Sequence, residues 1–311
     1  RVLWQSISAL QKRYSFIRCV VYAGFDQRSS PDKILNTVQE RFGINLYDRV
    51  DFVHLYRQRW VEPSCWPCLT ILGQSFGSII LGFEALVKFG PDVFVDTTGY
   101  AFVVPLFRWF AGCKTISYVH YPTVSQDMLD KVSQSESSYN NCDTISQSRL
   151  LTNLKLIYYR LYAKLYGFVG RRNDIVMVNS TWTHGHISKI WGPDKLYIVY
   201  PPCDTATFQQ LPITRDVKKF SIVSIGQFRP EKNHRLQLHI LKKFLGELDS
   251  KDKKMIELVL VGSCRNKQDM DRVKELRILA QKLGINRNIR FEINISFERL
   301  KGELATSKAA L

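Results

Sequence analysis

Short apolar runs alternate with longer stretches of helical spacing along most of the chain. Runs rich in β-branched and aromatic residues predict strands at Ile17–Ala23, Val50–Leu55, Asp92–Asp96, Thr115–Val119, Asp174–Val178 and Leu196–Tyr200. Three more follow at Phe220–Ile225, Ile256–Val261 and Ile289–Ile293. Between them, apolar residues three and four apart predict helices at Val2–Leu10, Pro31–Phe42, Leu69–Phe89, Leu150–Val169 and Trp182–Trp191. Beyond residue 203 the same spacing marks Leu236–Leu248, Gln268–Leu283 and Phe297–Lys308. Strands alternating with helices imply parallel sheets covered on both faces, so each half of the chain reads as a doubly wound α/β domain. Pro201-Pro202 punctuates the pattern and sets domains at 1–203 and 204–311. Pro122 to Gln147 is polar, weakly patterned and reads as a mobile loop.

Two of the predicted helices admit more than one setting. Leu69–Phe89 is long enough to span a bilayer, but its three glycines and Glu84 favour a helix buried in protein or resting at an interface. On Leu150–Val169, Leu150, Leu154, Ile157, Leu161, Leu165 and Phe168 share one face, and Arg149, Arg160, Lys164 and Arg171 gather opposite. Such a helix either buries its apolar face on a sheet or lies in a membrane interface. In the second case Tyr158, Tyr159, Tyr162 and Tyr166 would suit the headgroup boundary.

Charge narrows the partners. The 311 residues carry a formal charge of +16. Basic residues outnumber acidic ones 22 to 15 through Cys203 and 22 to 13 beyond it, so the excess is not one tail. A basic body suits nucleic acid, an anionic membrane face or phosphorylated substrates. The aromatic-and-basic patterns of the common nucleic-acid modules are absent, and nucleic acid is not an expected partner. Seven cysteines, an odd number, do not form a disulfide framework. Cys65 and Cys68 have redox-motif spacing, but follow a polar stretch rather than a strand, and no second such pair supports a zinc site.

The sharpest candidate chemistry lies at residues 224–234, between a strand and a helix. Gly226 allows a tight turn, Asn233 is a candidate N-cap, and Arg229 and Lys232 add two cations beside free helix N–H groups. That combination suits a phosphate-bearing ligand, while an ordinary solvated turn is the plainer alternative. His120 directly follows a strand, where it can meet a substrate hydroxyl or cap the strand end. Ser180 or Thr181 is placed to cap the next helix.

In order, Tyr118–Pro122, Val178–Trp182, Val199–Asp204 with Phe208, and Gly226–Asn233 resemble the family 4 GT-B glycosyltransferases. Leu72–Ser78, Pro91–Asp96, Gly99–Phe102, Lys155–Tyr159 and Gly262–Lys267 are similar to the GDP-mannose-dependent α-1,2-mannosyltransferases of asparagine-linked glycosylation within that family. The resemblance implies two Rossmann-like domains with a cleft between them, the C-terminal one incomplete. It implies transfer of mannose from GDP-mannose to a dolichol-diphosphate-linked oligosaccharide at the cytosolic face of the endoplasmic reticulum membrane, with retention of configuration. Other mannosyltransferases of the same pathway become expected partners, and neither a cofactor nor a metal is expected. It assigns Lys232 to the diphosphate and His120 to the transferred sugar. Gln227 stands where the family has arginine, and Arg229 is the candidate replacement. The family's first strand with its glycine-rich loop, its membrane-spanning segment and its paired-glutamate motif are not seen, so the chain reads as the middle of a longer enzyme, with little activity of its own. A non-catalytic nucleotide-sugar or phosphate-binding scaffold is the rival reading.

Overall fold

The computed structural model describes residues 1–26, 30–46, 50–125, 128, 149–212 and 219–311. The expected mobile loop lies, apart from residues 122–125 and 128, outside the described residues. The chain divides into two compact units, Arg1–Pro202 and Cys203–Leu311.

The first unit holds two parallel sheets rather than one. Strands β1 (Cys19–Gly24) and β2 (Val50–Leu55) pair with each other, flanked by α1 (Val2–Arg13) and α2 (Pro31–Phe42). The α2 start follows local rules: Ser30 accepts from Lys33 N–H and Pro31 occupies the first turn. Strands β3 (Val93–Asp96), β4 (Lys114–Val119), β5 (Ile175–Val178) and β6 (Leu196–Ile198) lie side by side in chain order, all parallel. Around them pack α3 (Thr70–Lys88), α4 (Val104–Phe110), α5 (Arg149–Gly170) and α6 (Thr181–Ile190).

The most apolar helix, α3, is built into the unit by its small residues. A Cβ at Gly77 would stand 1.9 Å from the Trp60 carbonyl oxygen, and one at Gly73 would strike the Trp66 ring. Glu84, on the same helix, accepts from the N–H groups of Tyr56 and Arg57, both at 2.9 Å, and pairs with Lys88 at 2.7 Å. Burial disfavours its charge, but Lys88 and the two N–H groups outweigh that and hold its carboxyl below the usual value.

Helix α5 turns the other way from its leucine face. Tyr159, Tyr162, Tyr166 and Val169 are buried, against Val119, Val176, Ile187 and Trp191. The Tyr162 hydroxyl meets Ser75 Oγ at 2.9 Å, and the Tyr166 hydroxyl accepts from Thr123 N–H. Burial pushes the Tyr162 phenol up to about 12 and that of Tyr166 further in the same direction. Leu154, Ile157, Leu161, Leu165 and Phe168 all face solvent. Tyr162 and Tyr166 therefore serve the core and are not at a headgroup boundary, because each ring buries apolar area while its hydroxyl still finds a partner.

The second unit is one parallel sheet in the order β10, β7, β8, β9. Its strands are β7 (Phe220–Ile225), β8 (Ile256–Gly262), β9 (Ile289–Ile293) and the short β10 (Ala309–Ala310). Helices α8 (His234–Gly246), α10 (Lys267–Lys282) and α11 (Phe297–Thr306) cover it, with the shorter α7 (Thr205–Gln209) and α9 (Ser250–Lys253) at the periphery. The final helix stops at Thr306, short of the expected Lys308, because Ala309 and Ala310 pair with Ile222 and Val223. The chain thus leaves β7 toward β8 and β9 and returns to pair on the other side of β7, giving a switch in strand order between β7 and β10.

Candidate functional site

Residues 225–234 leave the carboxyl end of β7, beside that switch. In open parallel sheets this is where ligands bind, because the two flanking loops diverge there. Gly226 N–H donates to Val261 O, and a Cβ at Gly262 would collide with the Gly226 carbonyl at 2.1 Å. Phe228, fully buried, anchors the loop between the His234 and Phe291 rings. Pro230–Lys232 form one 3-10 turn. Asn233 then takes a left-handed conformation (φ 45°), and its side chain accepts from Leu236 N–H, capping α8 as the sequence indicates.

The turn separates the two cations. The Lys232 stem lies over Gly226, 3.4 Å from where a Cβ would stand, and among the described residues no carboxylate pairs with its ammonium group. Arg229 instead pairs with Glu231 at 3.6 Å and lines a 180 Å³ hollow with Asn233, His234, Arg235, Arg272 and Glu275. Gly226 and Lys232 are therefore brought together, and Arg229 faces the hollow beside them. Burial, then the charges of Lys232 and Arg272, lower the tendency of His234 to protonate. Among the described residues seven buried polar side-chain atoms lack a partner. Three of them, Arg229 Nε, His234 Nδ1 and Gln237 Oε1, lie at this junction, as expected of a site completed by something bound.

Sequence reasoning missed the brace behind the loop. Asp269 on α10 is buried and accepts from Arg265 N–H at 3.1 Å; Arg272 reaches it at 3.5 Å and donates to the Phe228 carbonyl at 3.0 Å. Asn294, also left-handed (φ 53°), accepts from Cys264 N–H through its side chain. These contacts tie together the loops after β7, β8 and β9. Only the local part was legible, as Asn266 followed three residues later by Asp269 is a helix-start pattern.

In the first unit, the carboxyl ends of β4 and β5 bring a second group together. His120 is exposed, with its ring edge-on to Tyr118 and its carbonyl 3.5 Å from the Thr183 hydroxyl. Thr183 donates to Asn179 Oδ1 at 2.7 Å, and Ser180 caps α6 by accepting from Thr183 N–H. Tyr121 and Trp182 stack beside His120 with 5.1 Å between centroids. At the end of β3, Asp96 is buried and accepts from Thr98 N–H and Gly99 N–H, fixing that turn. Cys65 and Cys68 are free thiols, and among the described residues no cluster of His, Cys, Asp or Glu could hold a metal ion.

Residues 1–191 match the family model described as the ALG11 mannosyltransferase N-terminus. Curated relatives named GDP-Man:Man(3)GlcNAc(2)-PP-Dol alpha-1,2-mannosyltransferase include those of Mus musculus, 48% identical, and Homo sapiens, 46% identical. Each match covers 100% of this chain and 64% of the relative, so the chain spans less than two thirds of their length. Among solved structures, the trehalose-phosphate synthase of Burkholderia vietnamiensis is 10% identical with a TM-score of 0.62, over 94% of this chain and 76% of that one. Anabaena HepE in complex with UDP and glucose is 14% identical with a TM-score of 0.56, over 99% and 69%. These likenesses concern the fold alone, and that fold is GT-B. The family model covers the strand ends at His120 and Asn179, and the match to the relatives spans the whole chain, the residues beyond 191 included; the chain belongs to the ALG11 mannosyltransferase family.

Proposed function

We propose that this chain belongs to an enzyme that transfers mannose from GDP-mannose, in α-1,2 linkage, to a dolichol-diphosphate-linked oligosaccharide. The reading places it on the cytosolic face of the endoplasmic reticulum membrane, beside other mannosyltransferases of the same pathway. The observation that carries it is the unpaired Lys232 ammonium over Gly226 at the strand-order switch of the second unit. As the bond from mannose to the diphosphate breaks, negative charge grows on the leaving phosphate oxygens. A fixed ammonium and the first N–H groups of α8 stabilise that charge without reorganising, which lowers the barrier. In this reading they do the work without a metal. His120, at the end of β4, has an exposed ring that can accept a hydrogen bond from a sugar hydroxyl or donate one to it. With retention of configuration, the acceptor hydroxyl attacks from the face the diphosphate leaves and passes its proton to a departing phosphate oxygen. No protein nucleophile is needed.

Calorimetric titration with GDP tests the site. Lys232→Ala is expected to weaken binding by about 1.5–3 kcal/mol, roughly ten- to a hundredfold. Lys12→Ala, in the other unit, is expected to match wild type. Equal GDP affinities for Lys232→Ala and wild type would remove the site from this loop.

A further inference from the structure

We infer that the leucine face of α5, with the adjoining end of α4, is a docking surface for an anionic lipid bilayer. The helix presents three faces. Its tyrosine side is buried in the unit. Leu154, Ile157, Leu161, Leu165 and Phe168 form a continuous row, each between 49% and 57% exposed. At about 100° per residue, Arg160, Lys164 and Arg171 fall roughly a quarter turn from that row, on its flank rather than behind it. Isolated exposed leucines are ordinary, but an unbroken row over four turns is not.

The surface extends beyond the helix. Trp109 and Phe110, at the end of α4, are 57% and 70% exposed. Arg172 joins the two elements, its guanidinium 4.6 Å from the Phe168 ring centre and 6.0 Å from that of Trp109. Arg108 donates to the Arg172 carbonyl and holds the corner in place. An aromatic pair topped by a guanidinium suits the boundary between acyl chains and headgroups.

Charge selects a lipid surface over a second protein. Residues 149–172 contain six Lys and Arg and no Asp or Glu. A second copy of this chain would bring the same six cations against the first. A bilayer offers acyl chains to the leucine row and phosphates to the flank, where long basic side chains extend to the headgroups. The placement rests on the lipid-linked acceptor proposed above, which would be met at a bilayer. The apolar row and its basic flank stand independently of that.

Vesicle co-flotation tests it, using the 311-residue chain with phosphatidylcholine vesicles, with or without about one third phosphatidylserine. Wild type is expected to float with the anionic vesicles at low salt. Ile157→Ser, Leu161→Ser and Leu165→Ser combined should cut partitioning by on the order of a hundredfold on either vesicle. Arg160→Glu with Lys164→Glu should cut it by at least about tenfold on the anionic vesicles and leave the neutral ones unchanged. All five side chains are exposed, and circular dichroism confirms that both variants fold. Overturning results are a wild type that fails to float, or a serine variant that floats equally. A wild-type dimer that the serine substitutions dissolve, without vesicle binding, would assign the face to a second copy and overturn the lipid surface. GDP titration of the same samples separates the two readings: flotation without GDP binding would sink the proposed function and leave the docking surface standing.

Discussion

Helices α3 and α5 are the two longest among the described residues, and their surroundings invert what their compositions suggest. Among the described residues α3 alone is long and apolar enough to cross a membrane, yet its glycines lie against the Trp60 carbonyl and the Trp66 ring, and Glu84 ties it to the 56–57 backbone. Helix α5 carries six charges with its flanking arginines, and leaves its largest aliphatic row uncovered. Total apolarity therefore did not decide which helix is packed in. Small residues decided for α3, because two backbones can meet only where no Cβ intervenes. In α5 Tyr162 and Tyr166 decided, since they fill the core and satisfy their hydroxyls there.

The comparison breaks most sharply at Gly77. Gly77→Val would push side-chain atoms into a backbone carbonyl that cannot move aside, with an expected loss of at least about 3 kcal/mol, or failure to fold. Urea denaturation measures it. A variant as stable as wild type would mean that α3 is not seated on the 57–61 turn.

A smaller effect is expected at Glu84. Glu84→Gln keeps the shape and removes the charge, at a cost of about 1.5 kcal/mol near neutral pH. The sign with pH follows from the depressed folded-state value. The stabilisation is complete above the ordinary carboxyl value of 4.5 and is lost as pH falls through the lower folded value. Wild-type melting temperature should therefore drop more steeply below that point than that of Glu84→Gln. Parallel curves would show that the carboxylate does not hold the turn.

The smallest effect sharpens the contrast from the other side. Leu161→Ser on α5 should change folding stability by no more than about 0.5 kcal/mol, because the side chain already faces water. A loss of several kcal/mol in thermal unfolding would mean that the leucine row is buried in the folded molecule.

Much of the architecture was legible in the chain. β2 and β9 stand where their apolar runs begin and end, and α2 runs from Pro31 to Phe42 as its spacing indicates. Asn233 caps α8 as its type and place indicate. Such features depend on residues close in sequence, so local rules reach them. β10 was missed because Ala309-Ala310 has no strand signature of its own; pairing with Ile222 and Val223 makes it a strand. Gly226, Arg229, Lys232 and His120 were singled out as candidates by type and position, but their surroundings were not legible. Asp269 and Arg272 brace the Phe228 carbonyl from some forty residues away, and Asn179 and Thr183 come to His120 from about sixty.

By itself the sequence determined the alternation of strands and helices, the basic charge in both halves, and the chemistry available at the end of each strand. These follow from periodicity and residue type, which a linear chain carries intact. The tertiary structure alone decided which side of α5 turns inward, that Lys232 lies over Gly226 while Arg229 turns to Glu231, and that the loop after β7 sits at a change of strand order. Each is a choice between arrangements of nearly equal local energy. Contacts between residues far apart in the chain make that choice, and they come into being only when the sheets assemble.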